Sequence, residues 1–163
     1  MKKTLVRTLR VAVIVGAIIV SVFAATAFAH HSFAMYDMTK TMAFTGVLTV
    51  YNSQANHAEM HFVPLGPDSK PMKGPDGKYI EWGVEMAGAA AMAQQGISVK
   101  TFPYGTIFSI HLHPLRDGKN FGTIEGPVYK CPKDTPPAPG KDCSSVAGAT
   151  QHGRGNFNAN ATQ

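Results

Sequence analysis

Apolar and polar residues alternate through most of the chain beyond residue 40, and the alternation predicts strands. Met42 to Tyr51 forms the first, because Phe44, Thr45, Val47, Leu48, Thr49, Val50 and Tyr51 are mostly β-branched or aromatic. Gly46 inside this run predicts a bulge or sharp bend, which lets one strand serve two sheets of a small barrel. From His57 to Val63, Ala58, Met60 and Phe62 take one face while His57, Glu59 and His61 take the other. Pro64 to Lys78 is a proline- and glycine-rich loop. Tyr79 to Met86 sets Ile80, Trp82, Val84 and Met86 against Tyr79, Glu81, Gly83 and Glu85. Thr106 to His113 points Phe108, Ile110 and Leu112 inward and Ser109, His111 and His113 outward. Phe121 to Tyr129 is the last strand, and its Gly122, Gly126 and Pro127 suit an edge.

Between the third and fourth of these strands lies the one helical stretch after residue 30. Ala87 to Gln95 is rich in alanine, with Gly96 where a C-terminal cap belongs. The element order predicts a mainly β fold, a small five-stranded OB-like barrel with one short helix between strands three and four. A flat five-stranded sheet covered by one helix has the same order. The apolar pattern stops at Ser144, so residues 144–163 are expected to be a disordered tail.

The amino-terminal 29 residues differ from the rest. Lys2, Lys3, Arg7 and Arg10 precede an apolar run from Val11, which ends in Ala27-Phe28-Ala29. A charged start, an apolar centre and a small-x-small step form the layout of a secretory signal peptide. The run is also long enough for an uncleaved anchor, but no basic cluster follows it to stop transfer. The expected organisation is a signal peptide over 1–29, a barrel over 30–130, and a Cys-bridged loop with tail over 131–163. The expected location is the periplasm or the exterior, with membrane contact only through the leader.

Export alters the charge balance. The whole chain carries 15 Lys and Arg against 10 Asp and Glu, and four of the basic residues lie in the leader. The remainder is close to neutral, with no basic stripe, which argues against a nucleic-acid partner. An oxidising compartment would also pair Cys131 with Cys143 across a proline-rich segment. Two metal thiolates are the alternative, but the spacing is not that of a CxxC site.

The candidate chemistry lies in the seven histidines. Cleavage after Ala29 makes His30 and His31 the new terminus, where a free amine and two imidazoles form a chelator for a transition metal. His57 shares a strand face with His61, and His111 with His113. Period-two placement befalls any outward residue, so neither pair is diagnostic alone. His30, His31, His57, His111 and His113 are the candidate ligands, copper or zinc the candidate ion, and Met35 and Met38 lie near enough in sequence to favour Cu(I). Tyr79, Glu81 and Glu85 are candidate ligand-face residues. No catalytic set emerges: there is no Gly-x-Ser-x-Gly elbow, phosphate loop or His-Glu-x-x-His helix.

Residues 29–37 (AHHSFAMYD), Phe44-Thr45-Gly46-Val47, Asn56-His57, residues 80–85 (IEWGVE) and residues 111–118 (HLHPLRDG) together resemble DUF6152, a family of small exported bacterial proteins of unknown function. The likeness covers about residues 30–129. The chain departs where the family has a tryptophan and an Asn-Pro-His step, in a longer loop over 65–78, and in its Cys-bearing tail. The resemblance implies an exported β-rich domain and directs attention to His30, His31, His57 and His113 rather than His61. It implies no activity. The favoured expectation is a non-enzymatic binding module for a metal ion. A metal-free adaptor using Tyr79, Glu81 and His57 toward a periplasmic partner is the first alternative, and a copper oxidoreductase the second.

Overall fold

A computed structural model describes residues 33–54, 57–133 and 135–154. The leader, His30 and His31 lie outside the described residues, so the expected signal peptide and terminal chelator do too. The chain divides into two compact units, 1–35 and 36–163, and the second contains the barrel.

The barrel is built from β1 (Met42–Asn52), β2 (Glu59–Pro64), β3 (Trp82–Glu85), β4 (Ile107–Pro114) and β5 (Phe121–Lys130), with α1 (Ala89–Gln94) between β3 and β4. Sheet order runs β3-β2-β1-β4-β5, and a parallel β3–β5 pairing closes the ring. The closed five-stranded barrel with one short helix is therefore the expected OB-like architecture, not the flat sheet.

Closure depends on β1 serving two partners. Met42–Val47 pair with β4, and Gly46–Asn52 pair with β2. Gly46 stands where the two ladders overlap. A Cβ there would lie 2.6 Å from Phe62 Cδ2 and 2.9 Å from the Val63 carbonyl oxygen, so the crossing needs glycine. The bulge itself comes three residues later, between Leu48 and Val50. Gly83 serves the same purpose at the β3–β5 seam, where the Phe121 ring occupies the space of a side chain.

Alternation then fills the interior. Leu48, Met60, Phe62, Val84, Phe108, Ile110, Leu112 and Val128 are buried together, with Phe62 edge-on to Phe108 at 5.3 Å between centroids. One turn and a half of helix closes the barrel's end. Its terminus is a Schellman motif: Gly96, at φ +78°, donates to Ala93, and Ile97 donates to Met92. Both Met92 and Ile97 are buried, the apolar contact that accompanies this cap.

Several expectations are corrected. The third strand begins at Trp82, not Tyr79, because Tyr79 bridges Lys73 and Ile80 donates to Met72 in a separate ladder. That ladder belongs to two copies of one turn, Gly66-Pro67-Asp68-Ser69-Lys70 and Gly74-Pro75-Asp76-Gly77-Lys78. In each copy the glycine N–H donates to the lysine carbonyl at 2.8 Å, and the lysine N–H donates to the aspartate side chain. β5 is not an edge: it pairs with β3, β4 and β6 (Thr150–His152). Gly126 and Pro127 are accommodated in a bulge opposite the Ile110–His111 step, with Gly126 at φ +72°.

The tail also differs from expectation. The Cys131–Cys143 disulfide forms, with Cα atoms 4.9 Å apart, and a helical turn at Cys143–Ser145 seats over β4. β6 adds to β5, and His152 packs edge-on to Phe102 at 4.9 Å. Disorder from Ser144 onward is thus corrected for residues 144–154, and residues 155–163 lie outside the described residues. This cover explains a further correction. Ser109, expected outward, is buried and accepts from the Cys143 N–H, and His111, also expected outward, is buried within reach of the Asp142 charge.

Candidate functional site

The outer face of the barrel carries a row of polar residues in register across four strands. Glu59 on β2 faces Glu85 on β3, Glu85 faces Thr123 on β5, and Thr123 faces His113 on β4. Residues directly opposite one another on paired strands share a face, so the row is continuous. The segment leading into β1 lies along it. Tyr36 bridges Leu115, and the Asp37 N–H donates to the Pro114 carbonyl at 2.8 Å.

That segment is shaped by its own sequence. The Asp37 carboxylate accepts from the N–H of Thr39 at 3.2 Å and from its hydroxyl at 2.6 Å. These bonds, the Thr39 hydroxyl foremost, hold the Asp37 carboxyl below the ordinary range. The resulting turn presents the Lys40 carbonyl to His113, whose Nδ1 donates to it at 2.7 Å.

Glu85 is the centre of the arrangement. The Tyr36 hydroxyl donates to its Oε2, and His57 Nδ1 meets its Oε1. Tyr36 is almost wholly buried. That burial, followed by the bond to Glu85 and the charges of Glu85 and Glu59, pushes the phenol well above its usual range. Tyr36 is thus a donor, never a phenolate, at any ordinary pH. An ionised carboxylate only accepts, so the proton of neutral His57 sits on Nδ1 and Nε2 bears the lone pair. The His57 side chain is 50% exposed.

A ring nitrogen fixed by a carboxylate or a backbone carbonyl, with the other left as a base, is the outer-shell pattern of metal-bound histidines. His57 has it through Glu85 and His113 through Lys40. They differ in access: the His113 side chain is 12% exposed, and its Nε2 lies 3.8 Å from Glu125 Oε2. His111 is further removed. It is 6% exposed, faces Glu125 across the β4–β5 ladder, and its pKa is lowered by burial against the opposing pull of Glu125 and Asp142. His61 Nε2 lies 3.6 Å from Glu59 Oε2, with its ring near Phe121.

The expected ligand-face residues take different partners. Tyr79 is exposed with Lys73 Nζ 5.0 Å over its ring, and Glu81 accepts from the Thr49 hydroxyl at 2.7 Å. Among the described residues, only Glu85 of the three joins a histidine. Among the described residues no three His, Cys, Asp or Glu side chains gather as a metal site, and no helix is long and apolar enough to cross a membrane. Tyr36 is the residue that sequence reasoning passed over. It lies in a stretch without a clean period, and nothing in the local pattern distinguishes it from Phe33 or Met35, which are exposed.

No curated protein and no solved structure matches the chain. A family model does, over residues 17–125, which includes the row of Glu59, Glu85, His113 and Thr123 and the Tyr36 segment. The chain belongs to DUF6152, a family of unknown function.

Proposed function

We propose that this chain is an exported, non-enzymatic binding module for a transition-metal ion, copper before zinc. In this reading the leader is removed after Ala29 into the periplasm or beyond, and the new amine with His30 and His31 forms the primary chelate. His57 is the barrel's ligand. The observation that supports it is the His57–Glu85 pair: the carboxylate fixes the tautomer and leaves a basic Nε2 on a half-exposed ring. Nitrogen donors of this kind suit Cu(II), and Met35 and Met38 supply thioethers suited to Cu(I). His111 takes no part, because ligation would require uncovering a ring that is buried in the folded barrel.

The test uses protein expressed with its own leader. Mass spectrometry fixes the terminus, and copper and zinc are titrated into the product, into a form with one residue added before His30, and into His57→Ala. Tight copper binding that falls on both changes supports the proposal. Binding lost only on extension confines the site to the terminus and removes the barrel ligand. No binding in the unaltered product overturns the metal reading and leaves the adaptor.

A further inference from the structure

The geometry points to Tyr36 as a positioning residue for His57, acting through Glu85, so that docking of the segment leading into β1 sets which nitrogen of His57 is basic. The inference rests on His57 being the barrel's metal ligand, but its first consequence is independent of any metal. Glu85 has two carboxylate oxygens, and the structure uses one for each neighbour: Oε2 for the Tyr36 hydroxyl and Oε1 for His57 Nδ1. A glutamate at the end of a short strand has several rotamers open to it. The Tyr36 bond selects the one that turns Oε1 toward His57.

Tyr36 itself is not free to drift. It is buried, it bridges Leu115, and its neighbour Asp37 is tied to Pro114. The chain of contacts therefore runs from the backbone at the end of β4, through a phenol and a carboxylate, to an imidazole beside β2. Its members come from four separated stretches of sequence, so the arrangement exists only when the leading segment is docked. By reciprocity, whatever the docked segment does for ligand binding at His57, a ligand at His57 does for docking of the segment.

Two readouts test it on the exported product. At mildly alkaline pH, the nitrogen resonances of the His57 ring report its tautomer. The unaltered protein should show Nδ1–H and an unprotonated Nε2. Glu85→Gln should move the ring toward Nε2–H, the form preferred by histidine in water, and Tyr36→Phe should move it part of the way, with His111 and His152 resonances unchanged as a check on folding. In a zinc or copper titration, Glu85→Gln should weaken binding by about 10–100-fold, the usual loss on removing an outer-shell partner, and Tyr36→Phe by less. A Tyr36→Phe ring with the unaltered tautomer overturns the positioning role, as does Nε2–H in the unaltered protein. If the tautomers shift as stated but neither ion binds, the positioning stands and the metal function falls.

Discussion

The backbone N–H of Cys143 donates to the hydroxyl of Ser109 at 2.8 Å, and that hydroxyl is 2.7 Å from the hydroxyl of Thr45. The bond joins the carboxyl-terminal cover to two strands of the barrel wall. The Cys131–Cys143 link closes the proline-rich segment that leads to it. Cys131→Ser with Cys143→Ser should therefore cost about 2–3 kcal/mol, the loop-entropy value for a short loop, plus the exposure of Ser109. Chemical denaturation of the double variant against the oxidised protein measures it. A loss below about 1 kcal/mol would show that the cover stays in place without the link.

One buried histidine, His111, and one half-buried, His152, predict the pH dependence. His111 and His152 both have pKa values lowered from 6.5, each chiefly by burial, with Lys130 adding to the effect at His152. The unfolded chain binds these protons more readily than the folded one, so stability is full above the unfolded value and falls as pH drops through the folded values. Denaturation midpoints should decline below about pH 6.5. His152→Asn should flatten part of that decline. An unchanged slope in this variant would assign the effect elsewhere.

Gly96→Ala should destabilise by more than 1 kcal/mol on the order given by the usual penalty for a left-handed non-glycine residue. The position has φ +78°, and a Cβ would lie 2.8 Å from His152 Nδ1. The variant should also loosen β6, because His152 is displaced and Gly153 donates to the Gln95 carbonyl one residue away. Faster amide exchange at residues 150–153 than at β1 would register this. Uniform exchange would contradict it.

Ser69→Gly should stabilise by about 0.5 kcal/mol. Ser69 holds φ +58°, and the matching residue of the second turn copy is Gly77 at φ +78°. Relief of the left-handed strain, about 1–2 kcal/mol, exceeds the extra backbone entropy of glycine and the loss of a long bond from Ser69 Oγ to the Pro137 carbonyl at 3.3 Å. Destabilisation in thermal melts would mean that the bond to Pro137 outweighs the strain.

Much of the barrel was legible because alternation is a local property. Met60, Phe62, Phe108, Ile110 and Leu112 face inward as the pattern predicts, and Gly96 caps the helix. What the pattern missed depends on contacts between distant segments. His111 satisfies the period of an outward residue but is buried, near a tail that carries the Cys131–Cys143 link and a three-residue strand. Pro127 argues for an edge until a bulge accommodates it. At the site, the sequence singles out His57 and Glu85 for separate reasons. Their meeting, and the part of Tyr36, required the β2–β3 register and the docking of a segment with no period of its own.

The parallel β3–β5 seam governs how quickly the chain reaches its native state. Residues 83–85 must find residues 121–123, and β1 must find β4, before the interior is sealed. Such pairings bring together distant parts of the polymer at a high entropic cost, and domains dominated by them fold in roughly milliseconds to seconds. A sequence wired this way stays unstructured for longer than a helical bundle of equal length.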